Sequence, residues 1–167
     1  DDDVAFRCNL VTLEERDGET VMADFTAGHI GSEDAAELVG TLAAELTDER
    51  VRFYPGVSYR HLMVWHGGPV STRTTPPHDI IDRSVAGFLP EGEGSELLAE
   101  LAQRARTLIA GHPVSARLRE AGERAPTDIW LWGQGRRPAL PTLAERFGVT
   151  GGVITAVDVV SGLGRLA

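Results

Sequence analysis

The sequence predicts an α+β fold of the α/β class: a single domain with a mixed, largely antiparallel sheet and helices packed on it. Three observations carry this expectation. Stretches of period 2 and of period 3.6 follow one another without the strict βαβ alternation of a parallel sheet. Asp17-Gly18 stands between two alternating runs, which is a hairpin signal. The 167 residues, 42% of them hydrophobic, suffice for one sizeable core.

Residues 4–12 alternate, with Val4, Phe6, Cys8 and Leu10 to one side and Ala5, Arg7, Asn9 and Val11 to the other. That is a strand with Arg7 and Asn9 on a shared face. Residues 20–24 then form the second strand of the hairpin. Ser32 is placed to cap a helix whose first turn carries Glu33 and Asp34, favourable at the positive end of the helix dipole. Its apolar stripe is Ala35, Leu38, Val39, Leu42 and Leu46, and it should end near Thr47. Residues 51–54 and 58–65 read as a second strand pair turning at Pro55-Gly56, with Tyr59, His61, Met63 and Trp65 opposed to Arg60, Leu62 and Val64.

From His66 to Gly94 the chain is rich in Gly, Pro, Thr and Ser, and a loop of that length in a compact domain is usually functional or mobile. Residues 95–110 give the clearest helix, with Ser95 as cap, Leu97, Leu98, Leu101, Ala105, Leu108 and Ile109 as the buried stripe and Gly111 as terminator. A short helix over 114–121 follows, then a strand over 128–132, a Gly-rich turn, a helix from about Pro141 to Gly148, a strand over 153–157 and a last amphipathic run.

Charge narrows the function. The formal net charge is −9, unevenly placed: residues 1–50 carry 14 acidic and 3 basic groups, and residues 51–167 carry 11 and 13. Binding to a phosphate backbone draws on clustered positive charge, so no nucleic-acid partner is expected. No apolar run approaches the roughly 18 residues of a membrane helix, so no membrane partner is expected either. The opening Asp1-Asp2-Asp3 lacks the basic and apolar run of a secretory leader, and the single Cys8, set in an apolar strand pattern, suits the core of a protein in a reducing compartment. The expected location is cytoplasmic. All 16 basic residues are arginine, which excludes Schiff-base chemistry and a P-loop lysine in this chain. The last residues, Leu166-Ala167, stop inside helical pattern, as a segment of a longer chain would.

No complete catalytic or metal constellation is expected. His78-Asp79 is a lone pair, and His61, His66 and His112 lack the spacing of a ligand cluster. Gly-x-Ser-x-Gly does not occur, and Gly133-Gln134-Gly135 lacks the remainder of a nucleotide fingerprint. What stands out is a set of anion-compatible groups: Arg7, Arg60, His78 and Arg136-Arg137. A surface salt bridge is the ordinary role of each. Arg7 and Arg60 stand apart, because an arginine within an apolar strand finds a partner or faces a groove. Trp130 and Trp132 share one face of a strand and are expected to pack rather than to stack on a ligand.

Four strings, Asp3-Val4-Ala5-Phe6-Arg7-Cys8-Asn9-Leu10, Thr75-Pro76-Pro77-His78-Asp79-Ile80, Ile129-Trp130-Leu131-Trp132-Gly133-Gln134-Gly135 and Val153-Ile154-Thr155-Ala156-Val157-Asp158, together resemble the central inserted domain of archaeal-type, cofactor-independent phosphoglycerate mutases. The resemblance covers residues 1–167 and implies a substrate-binding lid domain of a two-domain enzyme of the alkaline phosphatase superfamily. By the same resemblance Arg7 and Arg60 bind the carboxylate or phosphate of a phosphoglycerate. His78 and Asp79 orient hydroxyls or act in proton transfer, and Asp3 and Asn9 match polar positions of the pattern. The implied divalent metals, Mn²⁺ or Mg²⁺, belong to the phosphatase-like domain, the other implied partner. His29 and Ser115 depart from the pattern, where an arginine and an asparagine are usual. A homoserine-kinase-like phosphotransferase and a stand-alone module for phosphorylated acids remain alternatives.

Overall fold

The computed structural model describes residues 2–156 and 158–166. Two compact units divide the chain after Arg136. The larger carries the expected fold, a five-stranded antiparallel sheet with helices against it. Its hub is β1 (Asp3–Arg16), which pairs with β4 (Arg60–His66) over residues 3–9, with β5 (Asp128–Gly135) over residues 5–11, and with β2 (Glu19–Asp24) over residues 12–16. Outside β4 lies β3 (Val51–Val57).

Period 2 sends Val4, Phe6, Cys8 and Leu10 into one face of the sheet, all fully buried. There they meet α1 (Ser32–Leu46) and α2 (Ser95–Gly111), whose stripes Leu38, Leu42 and Leu46 and Leu98, Leu101 and Ile109 complete the main core with Ile129, Leu131 and Met63. Each such side chain withdrawn from water contributes about 1.5–3 kcal/mol. The short α3 (Pro113–Glu120) adds Val114 and Leu118.

Where the structure departs from expectation, hydrogen bonding is the reason. The β3–β4 hairpin turns at Ser58-Tyr59, not at Pro55-Gly56. Ser58 takes the left-handed φ of 54°. Its amide donates to Ser32 Oγ at 3.1 Å and its hydroxyl to the Ile30 carbonyl at 2.7 Å. Pro55 and Gly56 instead form a bulge inside β3, where the register shifts between Tyr54 and Val57 and the Gly56 amide donates to His61 Nδ1 at 3.0 Å. Ser32 and Ser95 are the first helical residues of α1 and α2 and not their caps: Gly31 is the N-cap of α1 and Gly94 that of α2, neither with a side-chain bond. His112 caps α3, its Nδ1 accepting from the Val114 amide at 3.2 Å while its Nε2 lies 3.0 Å from Thr41 Oγ1.

The 66–94 segment is tied down throughout. It contains single 3₁₀ turns at Pro77–Asp79 and Val85–Gly87. The amide of Met22 donates to the Arg83 carbonyl at 3.1 Å, and that of Asp82 to the Met22 carbonyl at 2.9 Å. Arg73 and Glu91 exchange backbone bonds at 2.9 and 3.0 Å. This segment covers the second face of the sheet through a smaller core of Val11, Met22, Ile80, Val85 and Trp130.

The second unit holds α4 (Leu143–Phe147), closed by a Thr142–Glu145 capping box and a left-handed Gly148, and α5 (Asp158–Leu166). The strand expected over 153–157 is absent over residues 153–156, and Val157 lies outside the described residues. Val153 and Ile154 are exposed, and β-branched residues make a strand only with an edge to pair.

Candidate functional site

On the face of the sheet opposite the helices, odd-numbered positions of β1 bring polar groups together. Register sets Arg7 beside Trp132 on β5 and beside Leu62 on β4, and sets Asn9 beside Trp130 and Arg60. The Arg7 guanidinium lies over the Trp132 ring, 4.7 Å from its centroid, the geometry of a cation–π contact. Arg7 is exposed, and among the described residues it makes no ion pair. Asn9 is buried at 5% exposure with both ends of its amide engaged. Its Oδ1 accepts from Trp132 Nε1 at 3.0 Å and its Nδ2 donates to the Phe25 carbonyl at 3.2 Å.

His78 reaches the same place from the tied loop. Its ring stands edge-on to Trp132 at 5.4 Å and to Phe25 at 6.0 Å between centroids. From Phe25 the contacts run on to Tyr59 at 5.9 Å, with His29 edge-on to Tyr59 and the Arg60 guanidinium 5.4 Å from its centroid. Phe25 and His29 belong to a strained turn in which Ala27, Gly28 and His29 all have positive φ. Asp24 holds that turn: its carboxylate accepts from the Thr26 amide and hydroxyl at 2.7 and 2.6 Å and from the Gly28 amide at 3.0 Å. Burial pushes the Asp24 carboxyl up, but these donors outweigh it and leave the carboxyl below its ordinary value.

β5 fixes the loop. Trp130 Nε1 donates to the Thr75 carbonyl at 2.8 Å, three residues before His78, and the Gly133 amide donates to Thr74 Oγ1 at 3.2 Å. Gln134 Nε2 donates to the Thr72 and Val70 carbonyls. Between this strand end and the loop lies an open cleft of about 600 Å³, lined in part by Thr74, Phe88, Gly133 and Gln134, with Arg73 paired to Glu91 among its walls.

Arg7, Asn9 and His78 therefore converge on one indole, and Arg60 lies opposite Asn9 across the β1–β4 pair. Asp79 is exposed, its Oδ1 3.7 Å from His78 Nε2. Asp3 is on the Arg7 face but bonds outward, its Oδ1 2.9 Å from His66 Nδ1. Ser115 is wholly buried and its hydroxyl has no hydrogen-bond partner among the described residues. Sequence reasoning missed Trp132, Phe25 and Tyr59 as members of this cluster. The signal lay in the strand register, since only the pairing of Arg7 with residue 132 reveals the stacked pair. Among the described residues no three His, Cys, Asp or Glu side chains converge as a metal site would need.

Comparison with known proteins gives this face a context. Residues 1–115 match the family model of 2,3-bisphosphoglycerate-independent phosphoglycerate mutase. A 2,3-bisphosphoglycerate-independent phosphoglycerate mutase of Methanothermobacter thermautotrophicus is 47% identical over 169 aligned residues, covering 100% of this chain and 40% of that protein. A probable mutase of the same kind from Geobacter sulfurreducens is 44% identical over 165 residues, 99% of this chain and 41% of the relative. Among solved structures, a cofactor-independent phosphoglycerate mutase of Thermoplasma acidophilum superposes with a TM-score of 0.64 at 23% identity, over 98% of this chain and 45% of that one. A protein of Pyrococcus horikoshii gives 0.67 at 20%, over 99% of this chain and 36% of its own. At those identities the two structures speak to the fold alone. The chain spans about two-fifths of the length of the curated relatives it matches, and it belongs to the 2,3-bisphosphoglycerate-independent phosphoglycerate mutase family.

Proposed function

We propose that residues 1–136 are the substrate-binding part of a longer phosphoglycerate mutase that interconverts 3-phosphoglycerate and 2-phosphoglycerate, and that this chain alone binds substrate without turning it over. One observation carries the reading most directly: an exposed arginine without an ion pair among the described residues, its guanidinium over an indole beside a buried asparagine and an imidazole. A guanidinium so held presents its free edge as a two-pronged donor for a carboxylate or phosphate. Arg60, opposite Asn9 in the sheet, supplies the second positive group for a ligand with two anionic ends. His78 and Asp79, exposed at the loop surface, orient the hydroxyls of the glycerate or carry the protons that move between its two oxygens.

The resemblance to this family implies a serine nucleophile and divalent metals. By that resemblance we assign both to a phosphatase-like domain of the longer protein. The glycerate must stay bound while phosphate leaves and returns, and a clamp on its carboxylate serves that need.

Titration of the chain with 3-phosphoglycerate in the presence of Mn²⁺ tests the proposal. Saturable binding without 2-phosphoglycerate formation is expected, and Arg7→Ala should weaken binding roughly 10- to 100-fold, the worth of a charge-assisted bond. Binding indifferent to Arg7, or turnover by the isolated chain, would overturn it.

A further inference from the structure

Trp132 touches all three groups that converge on this face, and its two chemical features serve different ones. The ring face supports the Arg7 guanidinium at 4.7 Å, and the ring also meets the His78 imidazole at 5.4 Å. The indole N–H donates to Asn9 Oδ1 at 3.0 Å. That bond determines which way the Asn9 amide points, leaving Nδ2 for the Phe25 carbonyl and so tying in the strained 25–29 turn. The strand itself is braced on either side of Trp132, by Trp130 Nε1 on the Thr75 carbonyl and by the Gly133 amide on Thr74 Oγ1.

We infer that Trp132 is a positioning residue, which holds Arg7, Asn9 and His78 in one arrangement before an anionic ligand arrives. A long arginine side chain loses rotamer freedom when it grips an anion, and a ring beneath its guanidinium meets part of that loss in advance. The inference rests on the reading of this face as a phosphoglycerate site, but the arrangement itself is measurable without ligand.

Two substitutions separate the roles. Trp132→Phe keeps a ring under Arg7 and loses the bond to Asn9, whereas Trp132→Leu loses both. In the ligand-free chain, NMR should show the Arg7 Nε–H resonance displaced by the ring current in the parent and in Trp132→Phe, and near its free value in Trp132→Leu. The Asn9 side-chain amide should be altered in both variants. Titrated with 3-phosphoglycerate, Trp132→Phe should bind about 3- to 10-fold more weakly and Trp132→Leu 10-fold or more. In an Arg7→Ala background, Trp132→Leu should add no more than the loss that Trp132→Phe shows, because the part exerted through Arg7 is already gone.

Losses that add in full, or an Arg7 resonance unmoved in Trp132→Leu, would overturn the inference. A parent chain that shows the displaced Arg7 resonance yet does not bind 3-phosphoglycerate would overturn the ligand reading and sustain the positioning role.

Discussion

His61 shows how one side chain can give this domain an acid limit. It lies opposite Cys8 in the β1–β4 pair, is 3% exposed, and spends Nδ1 on the Gly56 amide, while Nε2 is buried without a well-formed hydrogen bond among the described residues. Burial outweighs the opposing pull of the Ser58 backbone and pushes its imidazolium pKa down from 6.5 to about 4. The unfolded chain binds that proton and the folded one refuses it, so the stability is fully present above pH 6.5 and falls as the pH drops toward 4. The slope is about 1.4 kcal/mol per pH unit, about 3 kcal/mol across the window. Asp24 and Asp48, both held below the ordinary carboxyl value of 3.8, add their own losses only at lower pH. Urea unfolding of the parent between pH 7 and 4 should show this slope, and His61→Gln, which keeps an acceptor for the Gly56 amide, should flatten it. An equal slope in both would assign the acid limit elsewhere. Cys8, beside His61, is fully buried, and its thiol is pushed up to about 12, which leaves it a core residue as the strand pattern expects.

At the scale of elements, alternation and helical stripes were legible because they are local. The five buried residues of α1 are those its spacing names, and Arg7 and Asn9 do share a face. The β3–β4 turn was not legible, because Pro-Gly is an equally good signal for a bulge. Here the choice falls to Ser58 and Ser32, 26 residues apart, whose bond places the turn three residues later. The bulge makes a sharp prediction. A Cβ at Gly56 would lie 2.2 Å from the Arg60 carbonyl, whereas a Cβ at Gly40 in α1 meets nothing within 4 Å. Gly56→Ala should therefore cost roughly 2 kcal/mol or more through a backbone clash, and Gly40→Ala should stabilise by about 0.5–1 kcal/mol. Chemical denaturation of the two variants checks both signs, and a neutral Gly56→Ala would refute the bulge geometry.

For the whole molecule, the division after Arg136 sets the expectation for trimming. The sheet, its helices and the polar face all lie in the larger unit, and the residues described between 138 and 166 include none that is buried. A chain ending at Arg136 should unfold in one cooperative transition with its midpoint within a few degrees of the parent's, and a large drop would show that the larger unit depends on the smaller. Fold class, nearly every element of the larger unit and, through four strings, the family were readable from the order of residues alone. It named Arg7, Asn9 and His78, but not the indole on which they meet. That meeting point follows from sheet pairing, because the neighbours of a strand residue are set by register against a strand more than a hundred residues away. For the same reason no strand forms over residues 153–156: propensity is a property of the segment, whereas a strand is a property of a pair.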